Sequence, residues 1–353
     1  MTDAAPIRTV LYLVGSPVDE FFAELSRLYA QASITALSDL LHLRILVAYV
    51  APGGAWSFPV DLSPSSLAKA APMSLSQAIS EIERWSPDVM VPQMFCVPGM
   101  TAYRSLFDVL GIPYLGSAGD VMAVGANKAR ARAVVEAAGV RVPTGRVVHD
   151  RTRTGLTYPV VVKPVSSDNS VGVTLVTRDD QYDRAVDDAL SHGGAALVEN
   201  FIPLGREVRC GIVVRRGDLV CLPLEEYDVD AATKPIRTRE DKLDRTEGGE
   251  LYLVAKSAGR SWTVPVNDPV TQPVWAAARA CHLALGCADY SLFDFRIDAS
   301  GRPWFLEASL YCSFAPSSVI ATMAEAAGIT LPQLFDDSLA ERLGKAVACA
   351  PHR

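Results

Sequence analysis

The first third of the chain alternates short apolar runs with amphipathic segments, and this rhythm constrains the fold more than any other feature. The predicted elements are strands over 9–14, 43–50 and 88–91, and helices over 19–32, 74–85 and 101–110. Strands that alternate with helices form a parallel sheet with helices on its faces. We therefore expect an N-terminal α/β domain over 1–122.

The pattern changes after a predicted helix over 120–138. Short β-branched strands around a single helix predict a small α+β domain over 123–206, and paired strands open a third domain over 207–353. A polar stretch over 228–262 carries no predicted element. Unstructured connections of that length are uncommon inside compact domains, so this stretch is either a functional lid or disordered.

Composition excludes several classes of protein. The 353 residues are 49% hydrophobic and 21% charged, which excludes a disordered chain, and the net charge of −7 predicts no nucleic-acid partner and no anionic membrane partner. Seven cysteines without a CxxC pair predict reduced, mostly buried thiols. No apolar run reaches the roughly 18 residues that span a bilayer. We expect a cytoplasmic protein.

The strongest chemical signal is an apolar strand that ends in Lys163 and continues into a polar turn with the hydroxyls of Ser166, Ser167 and Ser170 before Gly172. An ammonium group, hydroxyls and backbone N–H groups can converge there on one anion, for which a phosphate is the natural ligand. A lysine whose stem packs at a strand end beside an ordinary turn has the same pattern. Neither a P-loop nor a G-x-G-x-x-G motif occurs.

A second signal is a pair of carboxylates, Asp294 and Glu307, on two strands that flank a tight turn at 300–301. The spacing predicts that they lie opposite each other, where two like charges about 5 Å apart repel by roughly 3 kcal/mol at an effective dielectric constant of 20. A Mg²⁺ ion bridging to nucleotide phosphates would offset this repulsion. Neutralisation by Arg296 or Arg302 is the alternative.

A third signal is a strand that ends in Glu199, a connector of about seven residues, and a new strand that opens with Glu207. Two carboxylates at such a junction suit ribose hydroxyls or an adenine amino group. Solvent-exposed acids on an ordinary strand–connector–strand element would have the same sequence pattern.

Together these signals resemble the ATP-grasp superfamily, in its D-alanine–D-alanine ligase-like branch. The resemblance implies a three-domain α/β and α+β fold with an N-terminal parallel domain, a small central domain and a C-terminal antiparallel-sheet domain. It also implies ATP and Mg²⁺ (or Mn²⁺) as cofactors, small-molecule substrates, and compatibility with a homodimer.

The resemblance assigns roles to individual residues. The implied nucleotide-binding residues are Lys128, Lys163, Ser166, Ser167, Ser170, Glu199, Glu207 and Lys242. The implied metal ligands are Asp294, Glu307 and Ser309, and the implied catalytic residues are Lys163, Arg296 and Ser318, the last at the position that binds the carboxylate of the amine-donating substrate.

Two departures separate the chain from dipeptide ligases. The terminal Glu-x-Asn motif of the family is Glu307-Ala308-Ser309 here, and the arginine that stabilises the tetrahedral intermediate of dipeptide synthesis falls at Leu292. Arg296, on the same strand face as Asp294, is a candidate replacement for that arginine. The acceptor loop of the family is also replaced over 310–314. We therefore do not expect a cell-wall dipeptide ligase.

A closer resemblance is to the ligases of mycosporine-like amino-acid biosynthesis. It is carried by long blocks at 13–16, 25–31, 92–100, 163–170, 205–211, 223–227, 290–298 and 305–316. It implies an ATP-dependent ligase that joins mycosporine-glycine, a cyclohexenone carrying a glycine, to serine, threonine, alanine or glycine. The product would be an imine, with release of ADP and phosphate.

Two alternatives stay open. One is a carboxylate–amine ligase that makes a dipeptide through an acyl phosphate, and the other is a non-catalytic nucleotide-binding module, for which Ser309 is the motivating feature. Gln93 and Arg104, near the end of an N-terminal strand, are candidates for substrate contacts, although surface or packing roles fit each of them as well.

Overall fold

The computed structural model describes residues 7–167, 171–230, 232–237, 243–245, 251–253 and 261–349, without the side chains of 243–245, 251–253 and 345–349. Its strands are β1 (Arg8–Gly15), β2 (Leu43–Val50), β3 (Trp56–Ser57), β4 (Val89–Pro92), β5 (Gly145–Val148), β6 (Val160–Pro164), β7 (Thr174–Val176), β8 (Ala196–Asn200), β9 (Arg206–Arg215), β10 (Asp218–Cys221), β11 (Glu225–Tyr227), β12 (Leu243–Arg245), β13 (Leu251–Leu253), β14 (Ser261–Thr263), β15 (Tyr290–Ile297) and β16 (Pro303–Ser309).

The α-helices connect and cover these strands. They are α1 (Glu20–Ala36), α2 (Pro64–Lys69), α3 (Leu75–Trp85), α4 (Val97–Met100), α5 (Ala102–Val109), α6 (Gly119–Gly125), α7 (Lys128–Ala137), α8 (Tyr182–Ser191), α9 (Thr271–Leu285), α10 (Val319–Ala326) and α11 (Leu331–Cys349). One 3₁₀ turn, Asp179–Gln181, precedes α8.

The N-terminal sheet has the order β3-β2-β1-β4, in which β1 pairs in parallel with both β2 and β4. This confirms the parallel sheet predicted from the alternating pattern. β1 is central, and its residues from Val10 to Val14 are completely buried, which explains why this strand is an unbroken apolar run. The antiparallel edge strand β3 was not predicted, because two residues are too short for a periodic signal.

The central sheet has the antiparallel order β5-β8-β6-β7, with α8 packed on it. The third sheet has the order β14-β11-β9-β15-β16, with β10 paired to β9. The three-part α/β and α+β fold is therefore confirmed. The domain limits that we propose, 1–122, 123–206 and 207–353, assign one of these sheets to each domain, apart from the first residue of β9.

The predicted helix over 120–138 is wrong in its continuity. The chain forms α6 and α7 instead, with a break at Ala126 and Asn127. The Asn127 side chain accepts a hydrogen bond from the Arg130 N–H at 2.9 Å and caps α7. The backbone N–H of Lys128 donates to the Val165 carbonyl at 2.9 Å, so the new helix begins where it meets the central sheet.

The polar stretch over 228–262 contains more regular structure than the sequence predicts. β12 and β13 pair as an antiparallel ladder, and β14 pairs with β11 at the edge of the third sheet. β13 lies against α1 of the N-terminal domain. These three-residue strands are too short for a periodic signal, and the intervening residues 238–242, 246–250 and 254–260 lie outside the described residues.

Two expectations from composition can be compared with the described residues. Six cysteines there are free thiols, five of them buried, as predicted, and the Cys349 side chain is outside the description. Burial raises the pKa of the Cys287 thiol to about 12. Within the described ranges, no helix combines the length and the apolar character needed to cross a bilayer.

The buried Asp289 carboxylate connects the N-terminal domain, through Gly116, to Arg342 of the last helix. We expect Arg342→Met to lower the free energy of unfolding by about 3 kcal/mol. Asp289 is buried, accepts the Gly116 N–H at 2.7 Å and pairs with Arg342 of α11 at 2.6 Å, so the variant leaves a buried charge without its cation. Urea unfolding measures the change. Arg146→Met, at an exposed position on β5, is the control, and equal stability of the two variants would contradict the assignment.

Candidate functional site

A cavity opens between the central and C-terminal sheets, with a volume of about 680 Å³ including its open mouth. Its walls come from β6, β8, β15, β16 and the start of α7. The charged side chains that line it are Lys128, Lys163, Glu199, Glu207, Arg237, Asp294, Arg296 and Glu307. The structure therefore brings together most of the predicted site residues that it describes.

Lys163 and Glu199 form a buried ion pair in this cavity. β6 pairs with β8 so that Val161 lies opposite Glu199. Lys163 is two residues further along β6 on the same face as Val161, and its Nζ is 2.6 Å from Glu199 Oε1. The Lys163 ammonium also donates to the Leu306 carbonyl of β16 at 3.4 Å. Glu199, predicted beside adenine and ribose, thus also anchors the predicted phosphate-binding lysine.

Lys128 supplies a second ammonium group from the first residue of α7. It is buried, donates to the Ser167 carbonyl, and lies 3.7 Å from the Glu307 carboxylate. Lys128 therefore links the polar turn after β6 to the candidate metal site on β16. This arrangement depends on the break between α6 and α7, because a continuous helix would have no N-terminal residue there.

Asp294 and Glu307 are register partners on β15 and β16, as predicted. The cations that offset their charges are neither Arg296 nor Arg302. Asp294 receives two hydrogen bonds from the Arg209 guanidinium, one of them at 2.7 Å, and Glu307 faces Lys128. Burial opposes the charged form of Arg209, but the Asp294 carboxylate holds the pKa of Arg209 well above its usual value. The repulsion is therefore relieved by Arg209, which the sequence analysis did not select, and by Lys128, which it assigned to the nucleotide instead.

Arg296 lines the cavity at the connector between β8 and β9. Its guanidinium donates to Glu207 at 2.7 Å, to the Ile202 carbonyl at 3.2 Å and to the Pro235 carbonyl at 2.8 Å. Glu207 is predicted to contact ribose or adenine. Arg296 holds its carboxylate at one end of the cavity, where the connector forms the wall. The hydrogen bonds of Arg296 are directed to this end rather than to Asp294.

Arg237 is a cavity residue that the sequence analysis missed. Its guanidinium lies 3.8 Å from the ring centroid of Tyr227, 3.7 Å from Glu207 and 3.8 Å from Asp294. Its Nη1 is buried and has no hydrogen-bond partner among the described residues. A buried donor without an acceptor is costly, so this atom suits an anionic ligand. Its position in a mixed-charge stretch with five basic residues concealed this role.

The remaining predicted residues occupy varied positions. Ser166 and Ser167 lie in the turn after β6, whereas Ser170 and Lys242 fall outside the described residues. Ser309 lies opposite the buried Leu292. Ser318 directly precedes α10, and its buried hydroxyl has no hydrogen-bond partner within the described part of the chain.

The two candidate substrate residues differ in their surroundings. The Gln93 amide is completely buried, its Nε2 donates to the Cys312 carbonyl at 3.5 Å, and its Oε1 finds no hydrogen-bond partner in the described structure. Arg104 is buried and donates to the carbonyls of Leu115 and Ser117, which is the packing role given as its alternative.

The charged side chains that line the cavity fit a nucleoside triphosphate with a divalent cation. Lys128, Lys163 and Arg237 line one cavity, and guanidinium and ammonium groups are the usual protein partners of phosphate. Over the described residues, no cluster of three or more His, Cys, Asp or Glu side chains could hold a metal ion by itself. Asp294 and Glu307 alone match the usual mode of Mg²⁺, which binds one or two carboxylates and completes its shell with phosphates and water.

Comparison with solved structures defines the fold class. The D-alanine–D-alanine ligase of Coxiella burnetii superposes with a TM-score of 0.76 at 20% identity, covering 97% of this chain and 96% of that one. The VanG D-Ala:D-Ser ligase of Enterococcus faecalis superposes with a TM-score of 0.74 at 21% identity, covering 94% and 98%. The chain therefore has the ATP-grasp fold of these ligases.

Sequence comparison defines the family. The model described as the D-ala D-ala ligase C-terminus matches residues 133–340. A D-alanine–D-alanine ligase of Geotalea uraniireducens is 30% identical over 247 residues, covering 68% of this chain and 73% of the relative. The vancomycin B-type resistance protein VanB of Enterococcus faecalis is 30% identical over 241 residues, covering 67% of each. The chain belongs to the D-alanine–D-alanine ligase family. It is thus an ATP-dependent ligase of the ATP-grasp class, whose cofactors are ATP and Mg²⁺.

Proposed function

We propose that this enzyme joins mycosporine-glycine to the amino group of a second amino acid and forms an imine. The observation that carries the proposal is the apolar position Leu292. By the resemblance given above, dipeptide ligases have an arginine there to stabilise an oxyanion. The side chain of Leu292 is buried beside Asp294 on β15 and supplies no charge. Imine formation from an activated ring ketone develops no carboxylate-derived oxyanion, so it does not need this cation.

The proposed reaction activates a poor electrophile. The ring ketone of mycosporine-glycine is a vinylogous amide, and its oxygen would attack the γ-phosphorus of ATP with release of ADP. The amine then adds to the ring carbon, the C–O bond breaks with release of phosphate, and the nitrogen loses both of its protons to leave the conjugated imine. Bound ATP supplies the phosphoryl group, and bound Mg²⁺ gathers charge on it.

The residues of the chain bind and orient the reactants. We assign Lys128 and Lys163 to the phosphates, and Asp294 and Glu307 to the metal, and their presence in one cavity supports these roles. We assign Ser318 to the carboxylate of the incoming amino acid, and its buried hydroxyl, which lacks a partner in the described structure, supports this assignment. We assign the strand pair of β12 and β13 as a lid, which is supported by the contact of β13 with α1 of the N-terminal domain. Closing the lid would exclude water from the activated ring.

The second candidate is a carboxylate–amine ligase that makes a dipeptide through an acyl phosphate. It is favoured by the relatives named D-alanine–D-alanine ligase. Both reactions use the same nucleotide cavity and the same metal carboxylates. They differ in product, because only imine formation extends the conjugation of a chromophore.

An absorbance scan distinguishes the two candidates. We expect a red shift of the mycosporine-glycine band when the purified enzyme is mixed with ATP, Mg²⁺ and serine or threonine, with one phosphate released per imine formed. Omission of ATP or of the amino acid should abolish the shift. Phosphate release with pairs of alanine and no shift with mycosporine-glycine would instead establish the dipeptide ligase.

A further inference from the structure

Three aromatic side chains form a cluster that the nucleotide site does not use. Tyr29 of α1 and Phe95, which follows β4, have ring centroids 5.2 Å apart. Phe95 and Tyr311, which follows β16, have ring centroids 5.7 Å apart. Phe95 is buried, whereas Tyr29 and Tyr311 are partly exposed. The cluster thus joins the end of the N-terminal parallel sheet to the end of the strand that carries Glu307.

Arg209 lies beside the candidate metal site, as the register partner of Asp294 on β9. Its charge reaches Tyr29, since burial raises the pKa of Tyr29 to about 12 and Arg209 opposes that rise. Its guanidinium is 5.7 Å from the ring centroid of Tyr227. Asp294 lines the nucleotide cavity, but Arg209 is not among the described residues that line it. Arg209 is therefore a neighbour of the candidate metal site that lies outside the described lining of the nucleotide cavity.

The contacts of the Arg209 side chain indicate that its ligand is a carboxylate. Its Nε and Nη2 donate in parallel to the two oxygens of the Asp294 carboxylate, which is the geometry of bidentate carboxylate recognition. Across the third sheet, Glu225, Arg209, Asp294 and Glu307 lie in one row on β11, β9, β15 and β16. A divalent cation at Asp294 would repel the neighbouring guanidinium and compete for the same oxygens.

The other carboxylates near Arg209 have partners of their own. Glu225 accepts hydrogen bonds from Tyr227 at 2.7 Å and from Ser261 at 3.2 Å, and Glu207 is paired with Arg296. Only 11% of the Arg209 side chain is exposed, and a buried guanidinium that loses its carboxylate is costly. A carboxylate delivered by a ligand would replace Asp294 as its partner.

We propose that Arg209 binds the carboxylate of the ring substrate, and that Tyr29, Phe95 and Tyr311 form the surface against which its planar ring lies. The inference rests on the proposed function, because it assigns a binding site to mycosporine-glycine. The ligand class is a planar unsaturated ring that bears a carboxylate. Arg209 exchanges Asp294 for this carboxylate when the metal site fills, so substrate affinity depends on Mg²⁺ and nucleotide.

Calorimetric titration of the full chain, saturated with ADP and Mg²⁺, tests the carboxylate contact. The probes are mycosporine-glycine and its methyl ester, in which the carboxylate is neutral. We expect the wild-type protein to bind the acid about 30-fold more tightly than the ester, and Arg209→Gln to bind both as weakly as wild type binds the ester. The Kd for ADP, measured without Mg²⁺ so that competition for Asp294 plays no part, should change by less than about twofold.

Further variants keep the proposal falsifiable. If Arg209→Gln unfolds, Arg209→Lys is the second variant. It keeps the positive charge but cannot donate two parallel hydrogen bonds to one carboxylate, so we expect it to lose most of the preference for the acid. Tyr311→Ala should weaken acid and ester alike, whereas Tyr311→Phe should bind both as wild type does. Any Arg209 variant that keeps the full preference overturns the inference but leaves imine formation intact if the red shift persists. A wild-type protein that binds neither probe overturns the inference and the proposed function together.

Discussion

We expect Glu307→Ala to lower turnover by about 10³-fold while the protein stays folded. By our assignment Glu307 holds the metal ion that stabilises charge on the transferred phosphoryl group, and removal of one such electrostatic contact typically costs 10²- to 10³-fold in rate. About a quarter of the Glu307 side chain is exposed, so its loss empties little of the core. Phosphate release at saturating ATP and Mg²⁺ is the measurement.

The matched control is Glu136→Ala, which removes a carboxylate from the exposed face of α7. We expect it to keep wild-type turnover. The melting temperatures of both variants should stay within a few degrees of the wild type, as expected for changes of about 1 kcal/mol or less. Wild-type turnover in Glu307→Ala would overturn the metal assignment.

We expect Lys163→Ala to weaken ATP binding by about 10²-fold. The Lys163 ammonium is buried at the end of β6, where it would meet the phosphates, and truncating one member of a buried hydrogen-bonded charge pair costs roughly 2–5 kcal/mol. Calorimetric titration with ATP in the presence of Mg²⁺ measures the loss. Unchanged affinity would mean that Lys163 is only the structural partner of Glu199.

Removal of Lys163 also leaves Glu199 as a buried charge without a cation, so stability and binding must be separated. Lys163→Arg keeps the positive charge and should bind ATP more tightly than Lys163→Ala. The double variant Lys163→Ala with Glu199→Gln removes both charges and should regain stability without regaining ATP affinity. Lys69→Ala, at an exposed position on α2, controls for the loss of a lysine.

Local periodicity predicts the parts of this fold that are long and strongly patterned. The parallel strands β1, β2 and β4 and the cross-strand partners Asp294 and Glu307 were predicted because burial of one or both faces imposes a repeat that is visible in the sequence. The break between α6 and α7 and the short strands β3, β12, β13 and β14 were not predicted. The start of α7 at Lys128 depends on a carbonyl of the central sheet, and no local pattern encodes that contact.

The same contrast holds for the candidate site. Lys163, Asp294 and Glu307 were found because each stands at a strand end or in a hairpin register, where chemistry and spacing coincide. Arg209 and Arg237 were missed, although Arg209 follows Glu207 on the same face of β9. An arginine beside a glutamate on a strand is typical of a surface ion pair, and only its partner on another strand distinguishes it.

The sequence by itself determined most of the charged residues that line the cavity, the order along the chain of the strands that carry them, and the family to which the chain belongs, because these are encoded in local spacing and in ordered motifs. Tertiary structure decided which charges meet: Asp294 with Arg209, Glu307 with Lys128 and Glu207 with Arg296. The reason is physical. The sequence alone does not show which group lies beside a charged side chain. The partner is determined only when separate strands and helices bury the side chain beside a group of opposite charge.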